Sequence, residues 1–144
     1  MKELYELGIV FRGFVLVKHK FKKFSQQDGS KQSNKDLRGA FIDAINTFAK
    51  SAFNNLSLEY LESNNALFIL KVAEIKSAEC NFLEPLILYG LTIKKKKDAD
   101  KTVKKFLEKV EPILQLFISR YSNKDFTELD QFEPFKEEIE GFFS

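Results

Sequence analysis

The chain has 144 residues, enough for one domain that hides about two-thirds of its unfolded surface without a disulfide or a metal. Hydrophobic residues make up 44% and charged residues 31%, with only 6 Gly and 3 Pro, which excludes disordered, collagen-like and low-complexity classes. A net charge of +2 predicts no general affinity for nucleic acid or for an anionic membrane, and one Cys (Cys80) with one His (His19) excludes an internal disulfide and a zinc cluster and leaves poor grounds for Ser-His or Cys-His chemistry.

Leu4 to Phe24 reads as a β-hairpin, because β-branched and aromatic residues dominate and Arg12-Gly13 supplies the turn. The first arm, with Leu7, Ile9 and Phe11 alternating with Gly8 and Val10, has little that must face water and reads as a central strand. The second arm carries Lys18, Lys20 and Lys22, the pattern of a guarded sheet edge. A polar connection, Ser25 to Ser33, leads to a helix capped by Asn34 or Asp36, in which Leu37, Phe41, Ile45, Phe48 and Ala52 share one face and Asn54-Asn55 ends the run. Phe41, Ile45 and Phe48 are expected in the core.

Leu56 to Glu62 alternates Leu56, Leu58 and Tyr60 with Ser57 and Glu59, the pattern of a strand buried on one side. Ser63-Asn64-Asn65 turns the chain into Ala66 to Ala73, apolar on both faces. Glu74 to Asn81 is read as a polar connection, and Leu86 to Ile93 as a second doubly apolar strand. After Lys94 to Lys97, Asp98 or Asp100 caps a long helix whose apolar set is Val103, Phe106, Leu107, Val110, Leu114, Phe117 and Tyr121, with Pro112 expected to kink or split it near Glu108. A short helix lies within Glu133 to Phe143. The layout is β-β-α-β-β-β-α-α, an α+β fold with a five-stranded antiparallel sheet of order 2-1-5-4-3, helices on both faces and a single domain over residues 1–144.

Charge is unevenly spread. Residues 1–50 hold ten Lys/Arg against five Asp/Glu, whereas residues 123–144 hold two against seven. The acidic tail is therefore expected beside the basic first third. Only three of the 23 basic residues are Arg, which further disfavours nucleic-acid recognition. The apolar run Ile9 to Phe11 is too short for a signal peptide, and Pro85 to Ile93 is half a membrane span, so the expected location is the cytoplasm, at most peripheral to a membrane.

The opening hairpin Tyr5 to Phe21, the helix Leu37 to Phe53, the inner strand Ala66 to Ala73 and the last strand Leu86 to Ile93 together resemble the longin domain. The Lys-rich, Arg-poor composition and the ending Phe132 to Phe135 are similar to single-domain archaeal longin-like proteins. Roadblock and profilin folds share the sheet but open with a helix, for which Met1 to Tyr5 leaves no room. The resemblance implies a non-catalytic protein-interaction and dimerisation module, a scaffold or regulator for small GTPases in vesicle trafficking, whose partner is a small GTPase or another longin- or roadblock-type domain. Two alternatives stand beside it: a small-ligand or lipid-binding domain, and a profilin-like cytoskeletal regulator.

The candidate interaction residues are Ile42 and Phe53, off the main stripe of their helix, with Leu56, Leu58 and Tyr60 on an edge strand that has no lysine guard. An exposed apolar strip beside an open edge recruits a second subunit, and homodimerisation is the expected use. Lys94, Lys95, Lys96 and Lys97 read first as a solvated loop and second as an anion or lipid contact. His19 reads as a partly buried structural residue, and Cys80 as a thiol in a polar loop. The glycines match no phosphate-binding pattern, so the chain is not expected to be a GTPase or kinase itself. No catalytic residue, metal or cofactor is expected.

Overall fold

The computed structural model describes residues 4–21, 60–62, 66–93 and 99–143. The first hairpin pairs β1 (Leu4–Phe11) with β2 (Phe14–Lys20). Arg12 (φ 53°) and Gly13 (φ 80°) both lie in the left-handed region, as a two-residue hairpin turn matched to strand twist demands. β4 (Ala66–Ile75) and β5 (Glu84–Ile93) run antiparallel over ten residues each, and β5 also pairs with β1. Along the outer side of β4 lies the short β3 (Tyr60–Glu62), so the order is β2-β1-β5-β4-β3. The class is α+β with an open antiparallel sheet, as the sequence predicts.

β4 and β5 extend beyond their expected limits. Ile75 is fully buried, and the Glu74–Pro85 and Ile75–Glu84 pairs continue the ladder into the stretch read as a connection. Polarity misled the reading, because Glu74 is exposed on the pleat while its neighbour Ile75 is not.

Two layers of apolar side chains follow from the alternation. Leu7, Ile9 and Phe11 of β1, Leu67, Ile69 and Ile75 of β4, and Leu86 and Leu88 of β5 form one buried cluster with the helices. Val10, Phe68, Leu70, Ile87 and Tyr89 form a second cluster on the opposite face, where they too are buried. A bulge between Leu4 and Glu6 puts Leu4 in the first cluster out of simple alternation.

The helical face is built from α1 (Ala99–Tyr121), a 3₁₀ turn (Leu129–Phe132) and α2 (Phe135–Phe143). Val103, Phe106, Val110, Ile113, Leu114, Phe117 and Tyr121 make the buried stripe of α1. The helix passes through Pro112 without being split, so of the two outcomes expected from the sequence, a kink or a split near Glu108, the split does not occur. Pro112 and Glu108 are on the exposed side, where a carbonyl without its helical donor is open to solvation, while Ile113 and Leu114 are fully buried and hold the turn on the sheet. Phe117 meets Phe135 edge-on at 5.1 Å and Phe132 at 5.7 Å, which fixes α2 against α1. The expected helix Leu37 to Phe53, with Phe41, Ile45 and Phe48, lies outside the described residues.

Two glycines set how closely these parts approach. The ring of Phe106 lies over Gly90, and a Cβ there would overlap it; on the other face a Cβ on Gly8 would stand 2.5 Å from the Tyr89 ring. Gly141 in α2 faces open space. Gly90→Ala should therefore cost about 1–3 kcal/mol through overpacking, whereas Gly141→Ala should add up to about 1 kcal/mol by relieving a helix of its glycine. Urea denaturation of both variants checks the opposite signs.

Candidate functional site

One end of the sheet carries a network centred on Arg12. Its Nε and Nη2 donate to Glu84 Oε2 and Oε1 at 2.8 and 2.6 Å, a two-pronged pairing that joins the hairpin turn to the start of β5. Nη2 also donates to Ser77 Oγ at 3.3 Å, and Nη1 to Glu79 Oε2 at 3.5 Å. The Glu79 carboxylate accepts the Phe126 N–H at 3.1 Å, and the Phe126 ring packs 4.6 Å from Phe11. The Arg12 guanidinium itself lies 4.7 Å above the Phe11 ring. Backbone bonds from Ala78 N–H to Lys124 O and from Asn123 N–H to Lys76 O complete the tie between the β4–β5 loop and the loop after α1.

The charges of this network are set by their partners. The Glu84 hydrogen bond, opposed by desolvation, raises the Arg12 pKa, and the bond from Arg12 holds Glu84 below the usual carboxylate range against its partial burial. Glu79 is pulled upward by desolvation, but the N–H groups of Glu79 and Phe126, the Ser77 hydroxyl and Arg12 outweigh this and lower it.

Around the network stand large apolar side chains in water. Phe82 is 68% exposed, Phe14 63% and Leu83 54%. Phe14 faces Phe11 across the hairpin, Phe11 faces Leu86 across the next ladder, and Phe82 and Leu83 directly precede β5, so all three belong to the same end of the sheet. The interaction residues expected from the sequence do not include these three. The signal was available: Phe82-Leu83 interrupts a polar stretch, outside any periodic run.

Of the interaction residues expected from sequence, Tyr60 alone is described, on β3. Its hydroxyl donates to Asp100 Oδ1 at 3.0 Å and its ring packs against the helical-face core, so it fastens the short strand to the start of α1. Ile42, Phe53, Leu56, Leu58 and Lys94 to Lys97 lie outside the described residues. His19 is partly buried, edge-on to Phe21 at 4.5 Å, with Nδ1 3.7 Å from Glu140 Oε1. Phe21 in turn meets Phe143 at 5.1 Å, so the acidic tail does pack against the basic hairpin. On the opposite face, the Tyr89 hydroxyl donates to Glu6 at 2.6 Å, both residues buried. Cys80 is a half-buried free thiol in the β4–β5 loop. Among the described residues no three His, Cys, Asp or Glu are grouped to hold a metal ion, and no helix is long and apolar enough to cross a membrane.

No family model, curated protein or solved structure matches this chain.

Because Glu79 and Glu84 titrate lower in the folded than in the unfolded chain, the stability they add is complete above the unfolded carboxylate value of about 4.3 and is lost as pH falls through the lower folded values. Arg12→Gln should lower stability by about 1 kcal/mol at pH 7, the upper end for a pair this exposed. The wild type and variant should converge as the medium is acidified, which urea denaturation across a pH series checks.

Proposed function

We propose that the chain is a non-catalytic protein-interaction module of longin-like architecture, with the full five-stranded order 2-1-5-4-3 and helices on both faces, acting as a scaffold or regulator for a small GTPase in membrane traffic. The observation that supports the reading best is the exposed group Phe14, Phe82 and Leu83, held on a rigid ion-paired base at one end of an open sheet. Apolar side chains on a firm scaffold give a partner contact area with little ordering cost, and aromatic anchors commonly dominate such contacts. Burial of Val10, Phe68, Leu70, Ile87 and Tyr89 on the face away from α1 agrees with a second helical layer, for which the amphipathic segment Leu37 to Phe53 is the candidate.

The direct test is co-elution of the purified chain with small GTPases of its host, each loaded with GDP or with a GTP analogue. A stoichiometric complex selective for one nucleotide state is expected, and Phe82→Ser with Leu83→Ser should weaken it at least about tenfold, the loss of one good anchor being worth 2 kcal/mol or more. Failure of every GTPase to co-elute in either state would remove the GTPase assignment.

A further inference from the structure

The outward face of α1 is not explained by the packing of the fold or by the proposed function. Lys101, Lys104 and Lys105 fall within about one turn of each other and are exposed, opposite the buried stripe Val103, Phe106 and Val110. Among the described residues no carboxylate stands within ion-pair distance of any of the three; the ion pairs of α1 are Lys71 with Glu111 and Arg120 with Glu138, further along the helix. Lys109 continues the basic face but leans over the Phe143 ring at 5.2 Å. Residues 94–109 hold eight Lys against three Asp/Glu, a local charge of +5 in a chain of +2.

Asp100 and Glu108, both exposed, offset part of this charge on α1 itself, and a second acidic group lies at the far end. Asp125, Glu128 and Asp130 are exposed beyond the C-terminus of α1. Lys105 and Tyr121 are separated by about 24 Å of helix, roughly three screening lengths at physiological salt. The acidic end therefore does not neutralise the basic one, and the molecule has a fixed electrical polarity along α1.

We propose that this face of α1, centred on Lys101, Lys104 and Lys105, docks on the surface of an anionic lipid bilayer. Three features favour a bilayer over a nucleic acid or an acidic protein. The charges are all lysine, compact point charges without the guanidinium fork that reads phosphate or carboxylate geometry in two-pronged fashion. They stand on the convex side of a helix, which meets a plane of charge without needing a complementary groove. No aromatic side chain is exposed among them for base stacking, since Phe106 is fully buried toward the sheet. A planar negative surface also orients a molecule with charge segregated along one axis, basic end inward and acidic end outward.

The inference does not rest on the GTPase reading, and its test uses no GTPase. The whole chain is sedimented with vesicles of phosphatidylcholine alone or of phosphatidylcholine mixed with phosphatidylserine, at low and raised salt. Binding is expected only to the mixed vesicles and should be released by salt. At about fivefold in affinity per lysine, Lys101→Gln/Lys104→Gln/Lys105→Gln should weaken binding about 100-fold, with an unchanged thermal unfolding curve. If that triple variant does not fold, Lys104→Gln alone should still lose about fivefold. Equal binding to both vesicle types, no binding to either, or a folded triple variant that binds like the wild type overturns the proposal. So does tighter retention of double-stranded RNA or of polyglutamate than of mixed vesicles at the same salt, which would assign the face to a nucleic acid or an acidic protein instead.

Discussion

The ring of Phe106 rests on Gly90, and the rest of the helical layer hangs from that contact. A side chain at position 90 would hold α1 away from the middle strand of the sheet; its absence lets an aromatic ring touch backbone at the point where β1, β5 and β4 are most buried. The same device is used on the opposite face one residue away, where Tyr89 lies over Gly8 of the neighbouring strand and stacks on Phe68 at 5.3 Å. The centre of the sheet is thus closed from both sides by aromatics seated on glycine. From Phe106 the dependence runs outward: α1 carries Phe117, Phe117 holds Phe132 and Phe135, and α2 places Phe143 against Phe21 and Glu140 near His19 at the β2 edge.

That arrangement leaves two ends with different chemistry. At one, the left-handed Arg12 turn is locked to Glu84 and Glu79, and the loops around it expose Phe14, Phe82 and Leu83. At the start of α1 the surface is rich in lysine, and Lys101, Lys104 and Lys105 have no carboxylate within ion-pair distance among the described residues. Rigid apolar contact area and diffuse positive potential serve different partners, so a bilayer and a protein need not compete for the same surface.

Much of the fold was legible because its signals are physical and local. Arg12-Gly13 between two apolar runs could only be a tight turn, and strands without polar alternation had to be covered on both faces. The acidic tail was expected beside the basic hairpin and α2 does pack there. Errors arose where tertiary context outweighs local rules. Pro112 was expected to kink or split the helix, and the burial of Ile113 and Leu114 keeps α1 from splitting, while Glu74 hid the continuation of β4 to Ile75. The Arg12 network was invisible because its partners are more than sixty residues away in sequence. The exposed Phe82 and Leu83 were missed because phenylalanine and leucine are core residues on average, and only their polar neighbours mark them as exceptions.

Native-state hydrogen exchange tests most directly whether Phe106 and Gly90 bind α1 and the sheet into one unit. Amides of β5 from Leu86 to Thr92 and of α1 from Phe106 to Phe117 should exchange through a single opening with a common free energy and a common response to denaturant. Exchange of α1 through a separate opening of lower free energy, with β5 still protected, would contradict it.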